Sequence, residues 1–239
     1  RRAQPGDLIM AAYPILSLSN VRSTELFGRS AAALNLQLDP GDLALVDARD
    51  LPLAAAFADL CCGLHPPSDG EIRFLQRDWS RQPPEMADAL RGLIGRVMSN
   101  PGWLRFLDAS TNVLLQQIHH TRAALDALRE DAARLATHFG LPGLPNGPIT
   151  ELSPGDLMRL GFVRAFVGEP KLVILESPVQ GLHKDMVPAL LNRLWEVRDR
   201  GGAAIWLTRS RLIWDNPHFP ATHRLRLDHL GLSQLKAAA

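Results

Sequence analysis

Three short, continuous apolar runs constrain the fold of this chain more than any other feature of its sequence. They occupy residues 43–46, 172–175 and 203–207, and stretches of helical character lie between them. A run without polar alternation is typical of a strand that is buried on both faces. Such strands, alternating with helices, predict a parallel sheet built by right-handed crossovers. We therefore expect an α/β fold.

Two further strands are predicted before the first of these runs, because apolar and polar residues alternate at 15–21 and 33–38. An Asp-Pro-Gly turn at 39–41 joins the second of them to the run at 43–46. Because the connection is short, we expect the strand at 33–38 and the run at 43–46 to form an antiparallel element at the edge of the sheet.

Helices are predicted from apolar spacing and from helix-start signals. Helical spacing indicates helices within 121–140 and 185–200. Ser153 followed by Pro154 is typical of a helix start, so we expect a third helix from there to about residue 167.

The composition excludes some classes of partner. The chain has 239 residues, is 46% hydrophobic and has a formal net charge of +1, which suits one large or two small globular domains. This charge gives no reason to expect nucleic acid or an anionic membrane surface as a partner. No apolar run reaches the roughly 18–20 residues that span a bilayer, and we see no signal peptide. We expect a cytosolic protein.

Residues 41–64 have the frame of a phosphate-binding loop, with an apolar run, a turn and an Ala-rich helix at about 53–62. In such a loop glycines bring backbone N–H groups to the phosphates, a lysine holds the outer phosphates and a hydroxyl holds Mg²⁺. None of these groups is present in the turn, and an unrelated strand–turn–helix unit would have the same frame. The neighbours Cys61 and Cys62 are predicted to be free, buried cysteines.

The segment 151–182, ELSPGDLMRLGFVRAFVGEPKLVILESPVQGL, carries a specific resemblance. It resembles the signature motif, the following helix and the Walker B strand with its D-loop in the ATP-binding subunits of ABC transporters. Residues 41–64 match the family's Walker A segment without a gap, and order and spacing agree from about residue 15 to 230. The resemblance implies a P-loop α/β fold with a mixed sheet core, antiparallel edge strands and a helical subdomain.

The resemblance also implies the domain organisation. We expect a single ABC ATPase-like domain at 15–235, with the helical subdomain at about 103–165. Residues 1–14 would be an N-terminal extension and 236–239 a tail.

The family's phosphate loop falls on residues that lack its chemistry. Loss of the lysine removes a charge-assisted contact worth roughly 1.5–3 kcal/mol, and leucines in place of glycines put bulk where phosphate would lie. We expect the loop to keep its shape, with Leu51, Leu53 and Ala54 in the space of the nucleotide. The three glycines, the lysine and the two hydroxyl residues fall, in order, on Ala48, Leu51, Leu53, Ala54, Ala55 and Ala56.

The family's other catalytic positions are also changed. The glutamine that ligates Mg²⁺ falls on Ser99, the Walker B aspartate on Glu176, the catalytic glutamate on Ser177 and the switch histidine on Arg209. Phe27 is a candidate for the aromatic residue that stacks on adenine. A serine hydroxyl does not replace a carboxylate as a general base at neutral pH. We predict no ATP hydrolysis, no nucleotide and no metal in this chain's own site.

Arg209 suggests an ion pair in place of the nucleotide. A permanent cation at this position would pair with Glu176, Asp47 or Asp50, because a buried and unpaired Glu176 would be costly. Plain surface exposure of Arg209 is the alternative.

Ser153 and Gly155 keep part of the family's signature motif. In the family, the signature of one subunit contacts the ATP held by the other, and here both residues lie at a helix start, where an anion is favoured. The resemblance therefore implies that Ser153 and Gly155 contact the ATP and Mg²⁺ site of a partner subunit. Asp156 places a negative charge nearby, and a simple helix cap would explain the same residues.

The leading function implied is a catalytically degenerate ATP-binding-cassette subunit that forms a heterodimer with an intact ATPase subunit. It would dock on a transmembrane permease, with Trp103 and Phe106 near the docking surface unless Trp103 is plain core. Membrane contact would occur only through the permease, on the cytoplasmic face of the inner membrane, with no nucleic acid. The alternative is a non-catalytic structural or regulatory interaction protein, and an active ATPase ranks last because it would need another lysine.

Overall fold

The computed structural model describes residues 13–28, 31–178 and 186–234. The strands in these ranges are β1 (Leu16–Arg22), β2 (Leu34–Leu38), β3 (Leu43–Ala48), β4 (Asp69–Phe74), β5 (Arg77–Asp78), β6 (Ile94–Val97), β7 (Leu172–Glu176), β8 (Ala203–Thr208), β9 (His223–Asp228) and β10 (Gly231–Gln234). The α-helices are α1 (Thr24–Phe27), α2 (Leu51–Cys61), α3 (Pro84–Arg91), α4 (Ala109–His120), α5 (Leu125–His138), α6 (Pro154–Phe166), α7 (Met186–Asp199) and α8 (Arg211–Trp214).

A six-stranded sheet in the order β10-β9-β3-β8-β7-β6 forms the centre of the fold. Strands β9, β3, β8, β7 and β6 are parallel, and β10 joins antiparallel to β9. The three apolar runs lie side by side, with Leu45 and Leu175 on either side of Trp206. The prediction of a parallel sheet from continuous apolar runs is confirmed.

A second, antiparallel sheet has the order β2-β1-β4-β5. The predicted antiparallel pairing of the strand at 33–38 with the run at 43–46 is wrong, since β2 pairs with β1 and β3 pairs in parallel with β8 and β9. The burial patterns give the reason. Every residue of β3 is buried, which suits the centre of a sheet, whereas β2 alternates buried and exposed residues and suits an edge.

Two apolar cores lie on opposite faces of the six-stranded sheet. One is shared with the antiparallel sheet and α2, and includes Phe57 and Phe74. The other is shared with α4, α5, α6 and α7, where Phe139 packs between Phe162 and Phe166. Helices on one side and an antiparallel sheet on the other agree with the fold implied by the sequence.

Helix α3 was not predicted from the sequence. The helix begins at Pro84 with Pro83 before it, and proline is tolerated in the first turn because no N–H is needed there.

The candidate site lies at the carboxyl ends of the parallel strands. Strands β3, β7 and β8 end at Ala48, Glu176 and Thr208, so the turns that follow them meet at one edge of the sheet. Among the helices of the described residues, none has the length and apolar character needed to cross a bilayer.

Candidate functional site

The turn between β3 and α2 has only two residues, Arg49 and Asp50, because α2 begins at Leu51, two residues earlier than predicted. Asp50 is the N-cap: its Oδ1 accepts a hydrogen bond from the amide of Leu53 at 3.0 Å. Its carbonyl oxygen accepts from the amide of Ala54 at 2.9 Å. A carboxylate of the chain itself thus lies at the helix N-terminus, where an anion would otherwise be favoured.

Side chains at the lysine position and at two of the three glycine positions of the family's loop face the apolar core. Ala48, Leu53 and Ala54 are 2%, 5% and 2% exposed and belong to the core shared with the antiparallel sheet. The prediction that Leu53 and Ala54 fill the space of a nucleotide is therefore wrong; the earlier helix start turns them inward. Leu51 does line a cavity at the sheet edge, as expected, while Ala55 is half-buried.

Glu176 is buried at the end of β7 and paired with Arg96 of β6. Its Oε1 accepts from Nε of Arg96 at 2.6 Å, and its Oε2 accepts from the amide and hydroxyl of Ser99 at 3.3 and 3.2 Å. Arg96 also forms an ion pair with Asp59 of α2 and donates to the carbonyl of Ala55 at 3.1 Å. One guanidinium group therefore connects β6, β7 and α2.

Arg209 does not provide this cation. It is exposed, and within the described ranges it forms no ion pair with Glu176, Asp47 or Asp50. The predicted pairing of Arg209 is therefore wrong. The role of Arg96 was not predicted from the sequence. The signal was present, because an arginine inside the apolar stretch LIGRVM at 93–98 needs a buried carboxylate as its partner.

The charges around Arg96 outweigh the effect of its burial. Burial alone lowers the pKa of a guanidinium, but the negative charges of Cys62, once it is ionised, and of Glu176, with hydrogen bonds to Asp59 and Glu176, raise the pKa of Arg96 above its usual value. Burial raises the pKa of Cys62 to about 11. Cys61 and Cys62 are both free and buried, as predicted.

Two carboxylates at the turn have basic neighbours from outside it. Oδ2 of Asp47 lies 3.5 Å from Nε of Arg226, which is in β9. Oδ2 of Asp50 lies 3.3 Å from Nε2 of His229. Arg226 thus offsets part of the negative charge beside the turn.

A cavity of about 440 Å³ lies between the carboxyl ends of β6 and β7 and the starts of α2 and α6. Its polar wall brings together Ser99, Glu176 and Ser177, as the family resemblance implied. Its apolar wall includes Leu51 and Trp103, and none of the described residues that line it has a cationic side chain. This lining does not suit a Mg²⁺–polyphosphate group, which needs cations or free amides around its charge.

Comparison with known proteins identifies the family at this point. The family model described as ABC transporter matches residues 56–180, which is 125 of the 239 residues. The chain belongs to the ABC transporter family.

Individual relatives agree over most of the chain. The cell division ATP-binding protein FtsE of Escherichia coli is 27% identical over 192 residues, which cover 80% of this chain and 86% of that protein. The phosphonates import ATP-binding protein PhnC of Treponema denticola is 28% identical over 192 residues, covering 76% of this chain and 74% of that protein.

Solved structures support the ABC cassette fold. The dimeric, post-hydrolysis ATP-binding cassette MJ0796 bound to ADP and Pi has a TM-score of 0.77 at 18% identity, covering 93% of this chain and all of that chain. The cbiO1 protein of Clostridium perfringens, part of the ABC transporter complex cbiONQ, has a TM-score of 0.71 at 20% identity, covering 92% of this chain and 87% of that one.

The ABC signature residues Ser153 and Gly155 lie exposed at the start of α6. Ser153 caps this helix: its Oγ accepts from the amide of Asp156 at 3.1 Å and donates to Oδ2 of Asp156 at 2.8 Å. Arg159 pairs with the same carboxylate at 3.1 Å. The charge of Asp156 beside the signature is thus partly compensated.

Other positions carried over from the ABC family behave differently. Phe27 is buried in the core shared with the antiparallel sheet, so it presents no surface on which adenine would stack. Gly181 and Leu182, which end the segment 151–182 that resembles the family, lie outside the described residues. Trp103 is half-buried beneath the guanidinium of Arg164, 4.3 Å from its ring centre, whereas Phe106 is 81% exposed.

Proposed function

We propose that this chain is a catalytically degenerate subunit of an ABC transporter that pairs with an intact ATPase subunit. The observation that carries the proposal is the Asp50 carboxylate on the amide of Leu53, at the place where the family's loop holds phosphate. A bound polyanion would face this like charge, and the adjoining Pro52 has no N–H to offer.

The chemistry of hydrolysis is also missing from this chain's own site. Glu176 is engaged by Arg96 and Ser99, and Ser177 has no carboxylate to orient a water molecule. ATP and Mg²⁺ would instead be held by the partner subunit, and none would bind here.

The signature residues support a role at that partner site. The exposed Ser153 and Gly155 begin a helix of 13 residues, whose N-terminal dipole favours an anion across an interface. In this arrangement they contact the partner's ATP.

Docking on a transmembrane permease is supported by an apolar groove of about 500 Å³ beside α4. Leu64, Met98 and Leu115 line it, and Leu64 is half exposed. This groove, rather than Trp103, is the docking surface that we assign, with the exposed Phe106 as a second apolar contact. The chain would then lie on the cytoplasmic face of the inner membrane and reach the membrane only through the permease.

The test is the ATPase activity of the chain alone and of its complex with an ATPase subunit co-purified from membranes. We expect no turnover by the chain alone and turnover by the complex. Ser153→Arg should lower the activity of the complex by at least about 10-fold, because one lost transition-state contact is worth that much or more. The matched control is Ser19→Arg, at an exposed position of β1. Robust turnover by the isolated chain would overturn the proposal.

A second candidate function is a structural or regulatory protein that uses the ABC fold only for interaction. It is favoured by the two hydrogen bonds between Ser153 and Asp156, which explain the serine as a helix cap alone. Unchanged activity of the complex with Ser153→Arg would support this function over the first.

A further inference from the structure

Two histidines and an aspartate converge beside the groove, away from the candidate nucleotide site. His119 and His120 end α4, and Asp88 lies near the end of α3. One possible ligand atom from each lies within 4.8 Å of those of the other two. Two imidazoles with one carboxylate are a ligand set used for Zn²⁺ and similar divalent transition metals.

The separation of the two imidazole nitrogens matches a shared metal ion. Nδ1 of His119 and Nδ1 of His120 are 3.3 Å apart, and their rings are nearly perpendicular. Two nitrogens bound to a tetrahedral zinc ion at about 2.0–2.1 Å lie roughly 3.3 Å from each other. Nδ1 of His120 is 3.8 Å from Oδ1 of Asp88, which places this carboxylate beside the two imidazoles.

The backbone that carries these ligands is held in place by neighbouring side chains. Gln116 donates to the carbonyl oxygens of Arg91 and Ile94 at 3.0 and 2.7 Å. Gln117 donates to the carbonyl of Gly92 at 3.0 Å. The end of α4 is thereby fixed against the end of α3, so the ligands are brought together before any ion binds.

Arg91 contacts Asp88 directly and opposes a cation here. Its Nη1 donates to Oδ1 of Asp88 at 2.9 Å, while its Nε and Nη2 donate to the carbonyls of Cys62 and Gly63. These carbonyl contacts hold the guanidinium on one side of the carboxylate. Among the described residues, none donates a hydrogen bond to Oδ2 of Asp88, which leaves that oxygen available to a metal.

We propose that Asp88, His119 and His120 form a binding site for a divalent transition-metal cation of the Zn²⁺ class. Three protein ligands leave a fourth position for water or for a donor group of a partner. Because both histidines also line the 500 Å³ groove, a bound ion would join α3 to α4 at the edge of that surface.

The experiment is a titration of the full chain, purified without a histidine tag and stripped of metal, with Zn²⁺ by calorimetry and with Co²⁺ by visible absorption. We expect one equivalent of Zn²⁺ to bind and Co²⁺ to give the spectrum of a four-coordinate site. His119→Ala, His120→Ala and Asp88→Asn should each weaken binding by more than about 10-fold.

His218→Ala is the matched control, since His218 is exposed elsewhere on the chain. It should leave the affinity unchanged, and Zn²⁺ should raise the thermal midpoint of the wild type and of this control but not of His119→Ala. Each variant's midpoint without metal reports whether it is folded. Failure to bind one equivalent, or equal weakening by His218→Ala, would overturn the proposal. The proposed transporter role does not depend on this result.

Discussion

Arg96 connects three elements through one guanidinium group. It donates to Glu176 at 2.6 Å and to the Ala55 carbonyl at 3.1 Å, and it also pairs with Asp59. Two of these partners belong to segments that the family uses for nucleotide. Because a buried charge is costly without a partner, removing either member of the Arg96–Glu176 pair should be worse than removing both.

Arg96→Met should lower the free energy of unfolding by about 3–5 kcal/mol, because it leaves Glu176 buried and unpaired. The measurement is urea unfolding at neutral pH. Arg73→Met is the control: Arg73 pairs with Glu71 at 2.8 Å on the surface, and such pairs contribute about 0–1 kcal/mol. The double variant Arg96→Met with Glu176→Leu should recover most of the loss. A double variant less stable than the single one would contradict this account.

Three helices of the described residues begin on short polar side chains that cap them, and one of these caps lies at the candidate site. Asp50, Asp108 and Ser153 cap α2, α4 and α6. At α4 the cap only starts a helix. At α2 it places a negative charge where the family needs an empty helix end, so one local choice both stabilises the element and disfavours phosphate.

Asp108 offers a pH-dependent test of these caps. Hydrogen bonds from the Thr111 amide and hydroxyl lower the pKa of Asp108 to about 2. A lowered folded-state pKa stabilises the protein above the unfolded value of about 3.9, and this contribution is lost as pH falls toward 2. Asp108→Ala should therefore cost about 1 kcal/mol at neutral pH and much less near pH 2.

Urea unfolding of the wild type and the variant across this pH range gives the measurement. Asp126→Ala is the control, since Asp126 is fully exposed in the first turn of α5, where no side chain caps the helix. A cost for Asp108→Ala that stays constant from neutral pH to pH 2 would show that the cap bonds are not its source.

At the scale of the whole molecule, the sheet brings distant segments to one edge, where Asp50 caps α2 and Glu176 pairs with Arg96. An active ATPase site would need another lysine in place of the missing one. Lys171 directly precedes β7 and so lies at the opposite end of this strand from Glu176, where its Nζ is 3.5 Å from the carbonyl oxygen of Arg200. Lys184 and Lys236 lie outside the described residues.

MgATP should leave the thermal midpoint of the isolated chain unchanged, because a ligand stabilises a protein only in proportion to its binding. The measurement is differential scanning fluorimetry at millimolar nucleotide, with an intact family member as a positive control. A clear rise in the midpoint for this chain would contradict the proposed loss of its own nucleotide site.

Much of the fold was predictable because its signals are local. Continuous apolar runs predicted β3, β7 and β8, and Ser153 with Pro154 predicted the start of α6. The short turn at 39–41 did not predict the pairing of β2 with β1. Because both faces of β3 are buried, β3 lies at the centre of the other sheet, between β8 and β9, and not beside β2. The start of α2 at Leu51 was also not predicted. The family's loop is longer and placed the helix start near residue 53, whereas the N-cap at Asp50 begins the helix earlier.

The sequence by itself determined the three buried strands of the parallel sheet, the family, and the absence of the lysine and glycines from the loop. These follow from residue type and spacing along one segment. Only the tertiary structure decided that Arg96 and not Arg209 neutralises Glu176, that Leu53 and Ala54 face the core, and that Asp88 meets His119 and His120. Each of these depends on side chains from separate segments, which crossovers and core packing bring together.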